Sequence, residues 1–178
     1  MKHIVLKSFL IVAIVAAGIF ISCSKNSSDS GTSTLHVRLT DGPTNLAEVN
    51  VDIHEVKVKF SDDTSNVNGW VTMATNVGVY NLLGLQNGVD TLLATAPLPK
   101  DVVKEIRFVL GPNNSIKDTL GNVFALKIPS GAESGLKIKV NKKLNADLET
   151  LIIDFDAALS IFSTGAGNYM LKPVLKIK

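Results

Sequence analysis

The chain has 178 residues, with 18 Lys and Arg against 16 Asp and Glu, and a single cysteine. One cysteine excludes an internal disulfide framework and a structural zinc site built on thiolates. The formal charge of +2 is no footprint for nucleic acid, because Lys2 and Lys7 supply it and the rest of the chain carries 16 charges of each sign.

Met1 to Lys7 holds both of those lysines and no acid, and Ser8 to Ile21 is almost unbroken apolar sequence. That run has the length of a signal-peptide core and is short for a membrane-spanning helix. Ser22 then precedes Cys23. The pattern resembles the bacterial lipoprotein signal, in which a diacylglyceryl group is attached to the cysteine and the chain is cut before it. Phe20 and Ile21 make this version looser than the usual Leu-Ala-Gly form. The expected organisation is a helical signal peptide over 1–22, a flexible tether over 23–33 and one domain over 34–178. Ten tether residues give an r.m.s. reach of roughly 17 Å. Lipid on Cys23 makes the membrane a partner and the cell envelope the location. Ser24, not Asp, follows the cysteine, which favours the outer membrane; Asp29 is the only acid close behind it, so the leaflet stays open.

From Leu35 onward the apolar period is two. Leu35, Val37 and Leu39 alternate with His36, Arg38 and Thr40, which predicts a half-buried strand ending at Asp41-Gly42-Pro43. Val49, Val51 and Ile53 then occupy odd positions, and Val56, Val58 and Phe60 even ones. A strand changes face only through an extra residue, so a β-bulge is expected at His54-Glu55, with a kinked pair of strands as the alternative. Ser61 to Gly69 reads as an exposed loop. Trp70 to Thr75 reads as a short strand and Val79 to Leu85 as a compact apolar segment. Val89 to Ala96 reads as a strand or a single helical turn, closed by Pro97 and Pro99.

Lys104 to Leu110 alternates again, and Ile116–Leu120 with Val123–Ile128 forms a hairpin around Gly121-Asn122. Leu136, Ile138 and Val140 resume the pattern. Leu148 to Ala158 is the most apolar stretch of the domain and is expected as a central strand. Tyr169 to Lys178 is expected as a last strand, at an edge or bulged because of Pro173. Many short strands without an amphipathic helix predict an all-β fold, an antiparallel β-sandwich, with a β-barrel as the alternative.

Chemistry-bearing residues are few. His36 and His54 sit in no catalytic motif and read as solvent-side strand residues, and no G-x-S-x-G elbow is present. Asp154 and Asp156 share a strand face, and Asp41 approaches them if the sheet brings those ends together. Three carboxylates on one face suit Ca²⁺, which takes six to eight oxygens; the competing reading has them accept backbone N–H groups or pair with Arg38 or Arg107. Asp154 and Asp156, about 7 Å apart at the backbone, also have the spacing for acid–base hydrolysis. The lysines at 57, 59, 137, 139, 172, 176 and 178 alternate with apolar residues, as a solvated sheet face or guarded edge requires. Trp70 and Tyr80 form either a sugar platform or part of the core.

Five segments together carry a family likeness: Val37 to Pro43 (VRLTDGP), Val49 to Val58 (VNVDIHEVKV), Pro129 to Lys137 (PSGAESGLK), Leu151 to Ala157 (LIIDFDA) and Tyr169 to Val174 (YMLKPV). In order and spacing they resemble domain-of-unknown-function family 4382, across about Thr34 to Lys178. The resemblance implies a secreted or lipid-anchored all-β domain and assigns no activity to any residue. Gly42 stands where alanine is common in that family, and Leu159 where a basic residue is expected. The resulting expectation is a noncatalytic envelope module with no cofactor, other than Ca²⁺ if the aspartates hold it. Its ligand is left unidentified, a protein and a carbohydrate both being open. The alternative is a fimbrial or adhesive subunit joined by strand addition at Tyr169 to Lys178.

Overall fold

In a computed structural model, residues 31–60, 69–129 and 135–178 are described. Leu35, Val37 and Leu39 are fully buried on β1 (Thr32–Thr40), so the alternation read from sequence is the inner face of a strand. β1 opens two residues ahead of the boundary read at Thr34. Thr32 and Ser33 belong to the sheet because Thr32 pairs with Pro99 and Ser33 with Leu98. β2 (Glu48–Lys59) follows, then β3 (Trp70–Thr72), β4 (Ala74–Thr75), β5 (Gly78–Asn81) and a 3-10 turn at Leu82–Leu85. β6 (Thr91–Pro99), β7 (Val102–Leu110), β8 (Ser115–Lys117), β9 (Val123–Lys127) and β10 (Leu136–Lys143) come next. β11 (Leu148–Phe155), the single-turn helix α1 (Ala157–Ser160), β12 (Ile161–Gly165), β13 (Asn168–Leu171) and β14 (Leu175–Ile177) complete the chain.

These strands form two sheets. The smaller runs β14-β11-β1-β6-β4; the larger has β2 at its centre and ends in β10 and β12. Neither closes on itself among the described residues, so the fold is a β-sandwich and not the alternative barrel. The inner faces share one apolar cluster, in which Leu35, Val37, Ile153 and Phe155 of the small sheet join Val51, Val56, Ile106 and Phe108 of the large one. The sheets are mixed, which corrects the antiparallel expectation. β1 pairs with β11 in parallel, and β9 with β13. Side-chain alternation carries no information on strand direction, and neither pair is joined by a hairpin that would fix it.

Two further expectations are corrected. β6 does not stop at Ala96 but runs on through Pro97 and ends at Pro99; both prolines lie past Ala94 and Thr95, the β6 residues that β4 pairs with, so their missing N–H groups cost no ladder bond there. Tyr169 to Lys178 is not one strand. Asn168–Leu171 pairs with β12 and β9 in the large sheet, whereas Leu175–Ile177 pairs with β11 at the edge of the small one. Pro173 sits in the crossing between them, where no ladder needs its N–H. Leu148 to Phe155 is central, as expected, lying between β1 and β14.

The bulge expected at His54-Glu55 is present: Ile53 pairs with Leu110 and Glu55 with Val109, which leaves His54 without a partner on β7. Val49, Val51 and Ile53 before it, and Val56 and Val58 after it, are all buried on the inner face.

The registers extend this defect across the sheet. Asn50 pairs with Asn81 of β5 on one flank and Ser115 of β8 on the other, and Ile53 likewise separates Gly78 of β5 from Leu110 of β7. β7 and β8 therefore follow one another along the same flank of β2, interrupted by residues 111–114. On the next track Ala125 of β9 pairs with Ser115 and Leu136 of β10 with Phe108, so that track breaks at the same level. On the opposite flank β3 and β5 are separated where β4 is handed to β6. There Thr75 Oγ1 accepts the Val56 N–H at 3.0 Å, and the Met73 N–H reaches the Val56 carbonyl at 2.9 Å. A line of interruptions thus crosses the larger sheet at His54.

Phe108 is 1% exposed and packs in the shared cluster. Phe108→Ala is expected to lower unfolding stability by about 3–5 kcal/mol, measured as a shift of the urea midpoint at unchanged slope.

Candidate functional site

The line of interruptions opens a cleft of about 690 Å³ on the larger sheet, walled by the ends of β7 and β9 and by His54. Its geometry is built on Asp52. This carboxylate lies on the same side of β2 as His54, two residues on, and is 2% exposed. Asp52 Oδ1 stands 3.2 Å from His54 Nε2. Oδ2 accepts the Asn113 backbone N–H at 3.1 Å and Asn113 Nδ2 at 3.0 Å. A buried carboxylate needs such donors to offset its lost hydration.

The backbone around Asp52 is satisfied by the loop that leaves the ladder. Asn114 Oδ1 accepts the Asp52 N–H at 2.9 Å, Asn114 Nδ2 donates to the Gly111 carbonyl at 2.7 Å, and the Gly111 N–H donates to the Asp52 carbonyl at 2.8 Å. The Leu126 N–H then reaches the Asn114 carbonyl at 2.9 Å, tying β9 to the same loop. Gly111 is required sterically. A Cβ there would lie 2.2 Å from Asp52 Oδ2 and 2.3 Å from His54 Nε2.

His54 lies on the solvent side, as expected, with an addition that the sequence reading lacked. The imidazole is half-exposed, but it is held from behind by a buried carboxylate and faces a cleft. The sequence signal was available in the Asp-x-His spacing directly before the bulge; what was missing is the loop, since Gly111 to Asn114 is remote in sequence. Within the cleft wall, among the described residues, no serine, threonine, cysteine or carboxylate side chain takes part.

The aspartates singled out from sequence occupy another place. Because β1 and β11 are parallel, Thr40 pairs with Asp154 and the ends do come together. Asp41 is 2% exposed; its Oδ1 accepts the Ala157 N–H at 2.9 Å and its Oδ2 faces Gln86 Nε2 at 3.3 Å. Burial pushes the Asp41 carboxyl above its ordinary range, the Ala157 and Gln86 donors pull it back, and the nearby Asp154 charge adds to the rise. Asp154 Oδ2 is 3.3 Å from Lys178, while its Oδ1 is buried without a hydrogen-bond partner among the described residues. Asp156 caps α1 by accepting the Leu159 N–H and pairs with Lys176 at 2.6 Å. Among the described residues, no three His, Cys, Asp or Glu side chains are grouped to hold a metal ion. The partners of Asp154 and Asp156 are lysines. Arg38 pairs instead with Asp90, and Arg107 lies over the Trp70 ring at 4.1 Å.

Trp70 and Tyr80 do not form one platform. Trp70 pairs with Lys59 on the outer face and Tyr80 with Val51 on the inner one, eight residues away along β2. Cys23 lies outside the described residues. No described helix is long and apolar enough to cross a membrane.

The two-sheet, mixed β-sandwich defines the class of protein. Residues 32–173 match the family model "Domain of unknown function (DUF4382)", and the chain belongs to that family. No curated protein and no solved structure matches it.

Two measurements test this reading of the carboxylates. Gly111→Ala is expected to cost about 1–3 kcal/mol in urea unfolding, by driving the Asp52 carboxylate off Asn113. For the pH dependence, Asp156 has a folded pKa held low, first by Lys176 and then by the Leu159 N–H. Its contribution is present above the unfolded pKa and lost as pH falls through the folded one. Asp41 has the opposite sign: raised by burial, it favours the folded state below its unfolded pKa, a benefit lost as pH rises through the folded value. Thermal melts should show Asp156→Asn with a shallower acid decline than wild type. Asp41→Asn, which keeps an acceptor for Ala157, should gain on wild type between acid and neutral pH.

Proposed function

We propose that this chain is an envelope lipoprotein, held by a diacylglyceryl group on Cys23, whose β-sandwich is a noncatalytic ligand-binding domain. The observation that carries the binding reading is the cleft at the sheet interruption. It has a volume usual for ligand sites, and its one imidazole stands against a buried carboxylate, with no serine, threonine, cysteine or carboxylate side chain in the wall among the described residues. Support for the anchor comes from the sequence: a basic start, an apolar run of signal-peptide length, and the chain's sole cysteine directly behind it. Two acyl chains hold a protein stably where one does so only marginally.

A second reading, a subunit of a surface assembly joined by strand addition, is favoured by β14, which ends the small sheet. It is confined to Leu175–Ile177, because the first part of the expected strand is paired inside the large sheet. Lys176 and Lys178, held by Asp156 and Asp154, flank that edge as lysines do on protected edges.

Intact mass and membrane fractionation of the native protein test the anchor beside Cys23→Ala. The expected result is a chain that starts at Cys23 with diacylglyceryl mass, and a variant released from membranes. An unmodified chain overturns the lipoprotein reading, and robust turnover in a substrate screen overturns the noncatalytic one.

A further inference from the structure

We propose that the cleft at His54 takes an organic carboxylate with a short apolar body, its charged group set between Lys127 and His54. This rests on the binding-domain reading above and names the ligand class for the same site.

The argument begins with the charges that face the cleft. Among the described residues, Asp52 is the carboxylate that stands behind the cleft wall, its Oδ1 facing His54 and its Oδ2 accepting from the two Asn113 donors. Asn114 is likewise occupied, donating to Gly111 and accepting from Asp52. Lys127, at the end of β9, lines the wall and makes no ion pair or hydrogen bond among the described residues. Among the described residues, the side-chain groups that face the cleft with no protein partner are the Lys127 ammonium and the Nδ1 side of the His54 imidazole. Asp52 faces the Nε2 side of that imidazole at 3.2 Å and leaves its Nδ1 side to a ligand. A cationic ligand meets Lys127 and finds no carboxylate in the wall among the described residues.

The remaining wall is apolar, supplied by Leu110, Pro112, Leu126 and Ile128. An apolar body on the ligand is matched by these side chains, and a small inorganic anion leaves them wet. The site is also built in advance of any ligand. Gly111 allows the loop to close onto Asp52 and His54, and Asn114 pins that loop to β2 and β9. Preorganisation of this kind lowers the ordering cost of binding.

The test uses para-fluorobenzoate and its uncharged isostere para-fluorobenzamide, observed by fluorine NMR against the full chain in zwitterionic lipid nanodiscs, with empty nanodiscs as the blank. Saturable benzoate binding is expected in the millimolar range, as for a ligand of about ten heavy atoms. The benzamide should bind about tenfold more weakly. Lys127→Gln, an exposed substitution that leaves the Asp52 network intact, should weaken benzoate by a similar factor and leave the benzamide unchanged. His54→Gln is the second variant and should also weaken benzoate selectively. Equal binding of the two probes, no saturable binding of either, or benzoate binding indifferent to both variants would overturn the carboxylate assignment. Saturable benzamide binding with no preference for benzoate would retain the binding domain while removing its ligand class. The anchor experiment at Cys23 is independent of all these outcomes.

Discussion

The larger sheet depends on one geometrical constraint, the change of face within β2. Five buried residues, three before His54 and two after it, must all point inward, and the period of a strand forbids this without an extra residue. The bulge that supplies the residue bends β2 and increases its local twist. The neighbouring tracks cannot follow a bent strand with an unbroken ladder. Each breaks at the same level: at 111–114 on one flank, where β9 ends at Lys127 beyond it, and at β4 on the other. The cleft is the space left by those breaks. Its position follows from core patterning, and its chemistry from the loop inserted there.

Two buried carboxylates stabilise the ends of this arrangement in different ways. Asp52 replaces ladder bonds where β7 leaves β2, with Asn113 and Asn114 supplying side-chain donors and acceptors in place of backbone. Asp41 works where β1, the 3-10 turn and α1 meet: it takes the Ala157 N–H and the Gln86 amide, while Thr40 Oγ1 lies within 2.8 Å of the Leu85 carbonyl and 2.7 Å of that of Val89. Neither Asp52 nor Asp41 is exposed, and each is surrounded by polar groups drawn from segments far apart in sequence. That separation makes both useful as fasteners between segments.

Much of the fold was legible because it depends on local pattern. The inward residues of β1, β2 and β11 follow from alternation, the bulge from a change in its phase, and the β8–β9 hairpin from Gly121, whose φ of +91° requires glycine. Strand direction was not legible, since alternation looks the same read either way, and the parallel β1–β11 and β9–β13 pairs went unseen. Pro97 and Pro99 misled because their effect depends on whether a neighbour covers that part of β6. At the carboxylates, sequence spacing picked out Asp154 and Asp156 on one face, but not the lysines 176 and 178 that β14 brings across. Asp52 was passed over because its partners are some sixty residues away, in a loop whose Gly-Pro-Asn-Asn sequence reads only as a turn.

The parallel pairing of β1 with β11 sets the order of folding events. Thr34 lies opposite Leu148, so the centre of the small sheet joins positions more than a hundred residues apart. Until β11 is present, β1 has only β6 beside it, and one side of a strand that carries Leu35, Val37 and Leu39 of the core stays open. Non-local pairing of this kind carries its loop-closure entropy before any reward, which slows folding and prolongs the lifetime of an exposed strand. One edge of the N-terminal strand therefore stays unpaired until nearly all of the chain has emerged.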